Sequence, residues 1–239
     1  MKPVNSYFPI SHNSPSGREE VEWANFWYSH ANSKYPRRIL LLGDSTARMV
    51  RSTFEKSCGI PVDMLGTSCG LHDFMFIKQV EAFFYSDQIY YDAIFVQLGQ
   101  HSNINELGEK YTNKDFVTYK EDLTHLVEFL KQYSGNIILL SIFYAVIPSR
   151  FKRLKMYIPR PIRNIWKEEF DWEIDAVTKR KNEIIAEVSK ISGVRFLDIN
   201  NKMIELCNNW KSRILHIDHI HFENKGKDII AEEYIKFLS

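Results

Sequence analysis

Cysteine is scarce in this chain: Cys58, Cys69 and Cys207 make three, an odd number without metal-type spacing. That argues against a disulfide framework and suits a reducing compartment. Long hydrophobic runs are missing too. No segment approaches the roughly 18 to 20 apolar residues of a membrane span, and "MKPVNSYFPISHNSPSGREE" lacks the apolar stretch of a signal peptide. A cytoplasmic location is therefore expected. Neither sign of charge is in excess, with 31 Lys plus Arg against 30 Asp plus Glu and a net charge of +1, so the molecule as a whole advertises no nucleic-acid or membrane partner. There is no glycine-rich phosphate loop, internal repeat or low-complexity tract.

What is present is enough apolar material for one core, since 239 residues at 44% hydrophobic content fit a single α/β domain. Strand-length apolar runs recur at 38–43 ("RILLLG"), 61–66, 92–99, 136–143 ("NIILLSIF") and 194–199. They are nearly continuous rather than alternating, the pattern of strands covered on both faces. Helical periodicity fills the spaces at 47–56, 72–85, 115–133, 176–191 and 225–238; Leu123, Leu126, Val127 and Leu130 fall on one stripe. Five strand-then-helix repeats predict a three-layer α/β/α sandwich around a five-stranded, mainly parallel sheet. Two segments break the rhythm. Residues 1–37 read as an extension packed on the body, with Trp23, Phe26, Trp27 and Tyr28 on a short helix. Residues 147–172 read as an insertion after the fourth strand.

The run "ILLLGDSTARMV" ends its strand on Gly43-Asp44-Ser45. Ligands of open parallel sheets sit beyond the carboxyl ends of the strands. A helix N-terminus there offers free N–H groups and a positive dipole end to an oxyanion or a partly ionised nucleophile. Capping alone would also select Asp and Ser at this place. The discriminating partner is a histidine with an orienting carboxylate. "HIDHIHFENKGKDIIAEEY" supplies Asp218 and His221, three residues apart ahead of the final helix.

"LLGDST" together with "DHIHFENKGKDIIA" resembles the SGNH hydrolase superfamily, the GDSL-type esterases and acyltransferases, over roughly residues 38–239. The match at Asp218, His221, Gly226 and Ala231 is to the family's Asp-x-x-His motif. The resemblance implies a flavodoxin-like fold and a catalytic set of Ser45, Asp218 and His221. It also implies an oxyanion hole from the Ser45 N–H, a glycine after the second strand and a side chain after the third. In "MLGTSCGLHD" that glycine is Gly70 by its depth in the loop, with Gly66 as the alternative; Met64 stands in place of the family's Asn. In "LGQHSNIN", His101 stands where the family has Asn and Ser102 where it has Asp. A neutral imidazole can donate one hydrogen bond to an oxyanion, and Asn103 or Asn105 are further candidates.

His216, Asp218, His219 and His221 also suggest a metal, but an extended chain would put only His219 and His221 on one face, and no second cluster obviously completes four ligands, His72 with Asp73 or His101 being the residues that could. No metal and no cofactor are expected. The stretch 150–167 carries seven cations and no acid, interleaved with Phe151, Tyr157 and Trp166. It reads either as a solvated excursion balanced by "EEFDWEID" or as a lid over the Ser45 edge that recognises an anionic substrate, with membrane contact left open. The reading is a serine-dependent esterase or O-acyltransferase on O-acyl groups, O-acetyl above all, of a saccharide. Its partner is a small-molecule or glycan ester and not a nucleic acid. The alternatives are a lysophospholipase or thioesterase of the same fold, or a non-catalytic glycan-binding protein.

Overall fold

A computed structural model of the chain describes Tyr7 and residues 23–85, 89–101, 112–148, 170–173, 176–210 and 220–238. Strands β1 (Ala24–Trp27), β2 (Ile39–Gly43), β3 (Val62–Thr67), β4 (Ala93–Gln97), β5 (Ile137–Leu140) and β8 (Arg195–Leu197) form one sheet in the order β1-β3-β2-β4-β5-β8. All neighbours are parallel except β1 on β3. The parallel strands thus follow the flavodoxin-like order, and the order reverses between β2 and β4.

Period-two alternation sends Leu40 and Leu42 of β2 to one face and Ile39 and Leu41 to the other, all fully buried. The first face is covered by helices α2 (Phe74–Phe84), α3 (Asn113–Leu130) and α4 (Ala176–Ser192). The second is covered by α1 (Ser45–Cys58), α5 (Ile199–Trp210) and α6 (Asn224–Ile235). Local chemistry sets the helix ends. Asp73 caps α2 by accepting the Met75 N–H at 2.7 Å, and Thr112 opens α3 in a reciprocal capping box with Asp115. Gly59 ends α1 at φ +67, donating its N–H to the Glu55 carbonyl at 2.9 Å.

The three-layer sandwich is as read from sequence, with one correction: the main sheet has six strands. The aromatic cluster expected as a short helix is instead edge strand β1, antiparallel to β3. Aromatic residues favour a pleated, half-buried surface; Phe26 meets Phe83 edge-on at 5.6 Å and Trp27 lies under the Arg51 guanidinium at 4.4 Å. Helix α5 was not among the expected elements. Strands β6 (Ala145–Pro148) and β7 (Phe170–Glu173) pair as an antiparallel ribbon at the two ends of the expected insertion. The basic stretch between them, 150–167, lies outside the described residues. At the amino-terminal end of the sheet, buried Asp63 binds the Arg38 guanidinium and accepts the Ser29 N–H at 2.8 Å. This ties the residues before β2 to β3, at the end of the sheet away from Ser45. Among the described residues, no helix is long and apolar enough to cross a membrane.

Candidate active site

The register aligns Gly43 of β2 with Gly66 of β3 and Gln97 of β4, so three strands end level at the point where the strand order reverses. Gly43 has no room for a side chain: a Cβ there would lie 2.7 Å from the Ala47 Cβ and 2.8 Å from the Gln97 carbonyl oxygen. The chain therefore turns directly from strand to helix. Asp44 is the cap, accepting the Thr46 N–H at 2.9 Å and the Thr46 hydroxyl at 2.6 Å. Ser45 is left as the first helical residue, its hydroxyl not spent on capping. Its N–H is among the groups that a helix start leaves without an intrahelical acceptor.

The far end of the chain reaches the same point. Ile230, Ala231 and Tyr234 of α6 pack with Ala47, Val50 and Phe54 of α1. Phe222, buried and 4.7 Å from the Phe143 ring, pins the loop that enters α6. His221 on that loop brings Nε2 to 2.7 Å from the Ser45 Oγ, across 176 residues of sequence. With Nε2 as acceptor, the serine hydroxyl donates, which is the geometry of a nucleophile with its base. Asp218, together with Ser102, Asn103, Asn105, His216 and His219, lies outside the described residues.

Two further loops leave the same edge. Gly66 is inside β3, between β1 and β2, and a Cβ on it would come within 3.2 Å of the Trp23 ring. Its place is explained by strand packing. Gly70 lies in the loop beyond, where its carbonyl accepts the Asp73 N–H at 3.0 Å. After β4 the loop runs to His101, whose ring meets Trp23 edge to face at 6.5 Å. Gly99 has φ +126, and its carbonyl accepts from the fully buried Lys181 Nζ at 2.9 Å. The Tyr119 hydroxyl donates to the preceding carbonyl, that of Leu98, at 2.8 Å.

Sequence reading missed the residues that hold these loops together. Gln97 donates from Nε2 to the Ser141 carbonyl at 3.0 Å, and its Oε1 lies 3.2 Å from the Thr46 hydroxyl. The Ser141 hydroxyl donates to Asp198 at 3.0 Å, so one polar chain joins the ends of β2, β4, β5 and β8. The only sequence signal was a lone polar residue closing each apolar run: Gln97 in "IFVQ" and Ser141 in "ILLS".

Burial lifts the Asp44 carboxyl above its ordinary value of 3.8, against the opposing pull of the Thr46 hydrogen bonds and the His101 charge. Among the described residues its Oδ2 and the buried Tyr234 hydroxyl have no hydrogen-bond partner, and burial together with the Asp44 charge pushes that phenol up. A raised carboxyl means that the fold favours the neutral acid. The associated stability is present at acid pH and lost as pH rises through the folded-state value. Asp44→Asn keeps a favourable cap without a titrating charge. The variant's melting temperature, measured by thermal unfolding, should gain on the wild type as pH goes from 4 to 7. A constant difference would show that the Asp44 charge carries no such cost.

A family model described as GDSL-like Lipase/Acylhydrolase matches residues 12–234. No curated protein matches the chain. Among solved structures, the acetylxylan esterase Axe2 from Geobacillus stearothermophilus is similar with a TM-score of 0.55 at 13% identity, over 85% of this chain and 94% of that one. The acetyl xylan esterase AlAXEase gives a TM-score of 0.54 at 13% identity, over 83% and 98%. At these identities the likeness establishes the fold.

Proposed function

The chain belongs to the GDSL-like lipase/acylhydrolase family and is a serine esterase, and from that premise we propose that it cleaves or transfers O-acyl groups, O-acetyl above all, on a saccharide, with Ser45 as nucleophile. The observation that carries the assignment is the 2.7 Å contact between Ser45 Oγ and His221 Nε2. His221 takes the hydroxyl proton as Oγ adds to the ester carbonyl carbon. The N–H groups of Ser45 and Gly70 and the His101 ring hold the oxyanion, and the family motif gives Asp218 the task of fixing the His221 tautomer. The tetrahedral adduct then collapses: the ester C–O bond breaks, His221 returns its proton to the departing sugar oxygen, and the acyl group stays on Ser45. Water or a second sugar hydroxyl next gives its proton to His221 and takes the acyl group; as the Oγ–acyl bond breaks, His221 passes that proton to Ser45 Oγ, which regenerates the serine. The acetyl ester and the saccharide are supported by the similarity to two acetylxylan esterases.

A fluorophosphonate tests the nucleophile directly, because only an activated serine reacts with it. One equivalent should attach at neutral pH, on the peptide containing Ser45, and acetylated xylo-oligosaccharide should release acetate. An unlabelled protein that remains folded refutes the reading.

A further inference from the structure

Arg48 stands apart from the other arginines of the described residues. Arg37, Arg38, Arg51 and Arg180 each face a carboxylate of the chain, and Arg195 donates to the Phe237 carbonyl at 2.7 Å. Arg48 is exposed, and no carboxylate of the described residues pairs with it. Its guanidinium lies 4.6 Å above the centre of the Trp23 ring, with one Nη donating to the Asn25 Oδ1 at 3.1 Å.

That shelf is fixed in place. The Trp23 N–H donates to the Ser68 hydroxyl at 2.9 Å, and the Ser68 N–H donates back to the Trp23 carbonyl at 3.1 Å. The Trp23 ring also fills the space left by Gly66 and touches the His101 ring edge to face. Arg48 is three residues after Ser45 on α1, so the two side chains are neighbours on the helix surface, about 5–6 Å apart at their Cβ atoms. A cation is therefore held on an aromatic plate, wedged between the loops after β2, β3 and β4, one turn from the candidate nucleophile. Stacking immobilises the guanidinium while leaving most of its planar fork of donors for a ligand.

Resting on the esterase reading above, we propose that Arg48, seated on Trp23, binds an oxyanion carried by the substrate, so that the enzyme acts on acyl esters of an acidic saccharide in preference to a neutral one. A carboxylate and a phosphate both match a guanidinium fork, and the two are separated by experiment. The test compares kcat/KM for acetylated methyl glucuronide, acetylated glucose 6-phosphate and acetylated methyl glucoside, in wild type, Arg48→Gln and Arg48→Lys. The wild type should prefer one acidic ester over the neutral one by about 10- to 100-fold, the range of a charged hydrogen bond. The preferred ester identifies the anion. Arg48→Gln should reduce that preference to about 1, mainly through KM, and Arg48→Lys should restore only part of it because an ammonium cannot fork. Added salt should shrink the wild-type preference. No preference in the wild type, or an equal loss on charged and neutral esters in Arg48→Gln, overturns the proposal.

Titration calorimetry with unacetylated methyl glucuronide and glucose 6-phosphate separates this from failure of the esterase reading. Binding of either that is lost in Arg48→Gln sustains the anion site even where no ester is turned over. Equal or absent binding of both to the two proteins removes it, whatever the enzyme does to 4-nitrophenyl acetate.

Discussion

Ser45→Ala lowers kcat on 4-nitrophenyl acetate by about 10⁴ or more while the protein stays folded. The rate term follows from removing the atom proposed to form the acyl-enzyme, a loss that reaches about 10⁶ in a serine hydrolase dissected residue by residue. The stability term is small for local reasons. Asp44 is the cap of α1, so alanine at 45 removes only the hydrogen bond to His221, about 0.5–1.5 kcal/mol. Alanine is also the better helix former. For a domain of this size such a loss moves the melting temperature by only a few degrees. Ser45→Ala with His221→Ala should be no slower than either alone, because a nucleophile without its base and a base without its nucleophile fail at the same step. Turnover kept within tenfold of wild type by a folded Ser45→Ala removes the serine from the mechanism.

The residues legible in the sequence were those whose signal is local. Leu40, Leu41 and Leu42 read as a two-faced buried strand because nothing polar interrupts them, and all three are fully buried. Gly43-Asp44-Ser45 read as a strand-to-helix turn from the capping preference of Asp, and Asp44 is the cap. Pairing Ser45 with His221 needed two motifs judged together, since neither alone exceeds the likelihood of a helix start. What stayed hidden depends on partners remote in sequence. Strand β1 owes its extended form to β3, forty residues on; taken alone, "ANFW" carries no alternation, and three of its four residues are exposed. Gly70 is preferred over Gly66 in the sequence by its depth in the loop, whereas that Gly66 lies inside the sheet shows only in the strand register. Lys181 and Tyr119 could not be read as supports of the loop after β4, because a lysine and a tyrosine on amphipathic helices ordinarily mark the solvent side. Trp23 and Arg48 meet only because β1 folds back along β3.

Gly99→Ala is the second large effect, and it separates the scaffold from the chemistry. A methyl group on residue 99 would stand 2.7 Å from the Tyr119 hydroxyl, and φ +126 is a conformation that L side chains rarely adopt. Both faults act on one loop, since the Tyr119 hydroxyl holds the Leu98 carbonyl and Lys181 holds that of Gly99. His101 follows in that loop, two residues on. Displacing an oxyanion donor, the role proposed for His101, costs about 10² to 10³ in turnover, so kcat of Gly99→Ala should fall by that order while KM changes little. Tyr119→Phe on the same background removes the 2.7 Å clash, but it also removes the hydrogen bond to the Leu98 carbonyl and leaves the backbone strain, so the pair should recover only part of the loss. Fluorophosphonate labelling gives an independent readout, since the phosphonyl oxygen uses the same donors. Labelling should slow in step with kcat in Gly99→Ala and recover in part in the double variant. A folded Gly99→Ala with wild-type kcat and wild-type labelling would mean that the loop carrying His101 takes no part in the reaction, leaving the backbone N–H groups of Ser45 and Gly70 to hold the oxyanion alone.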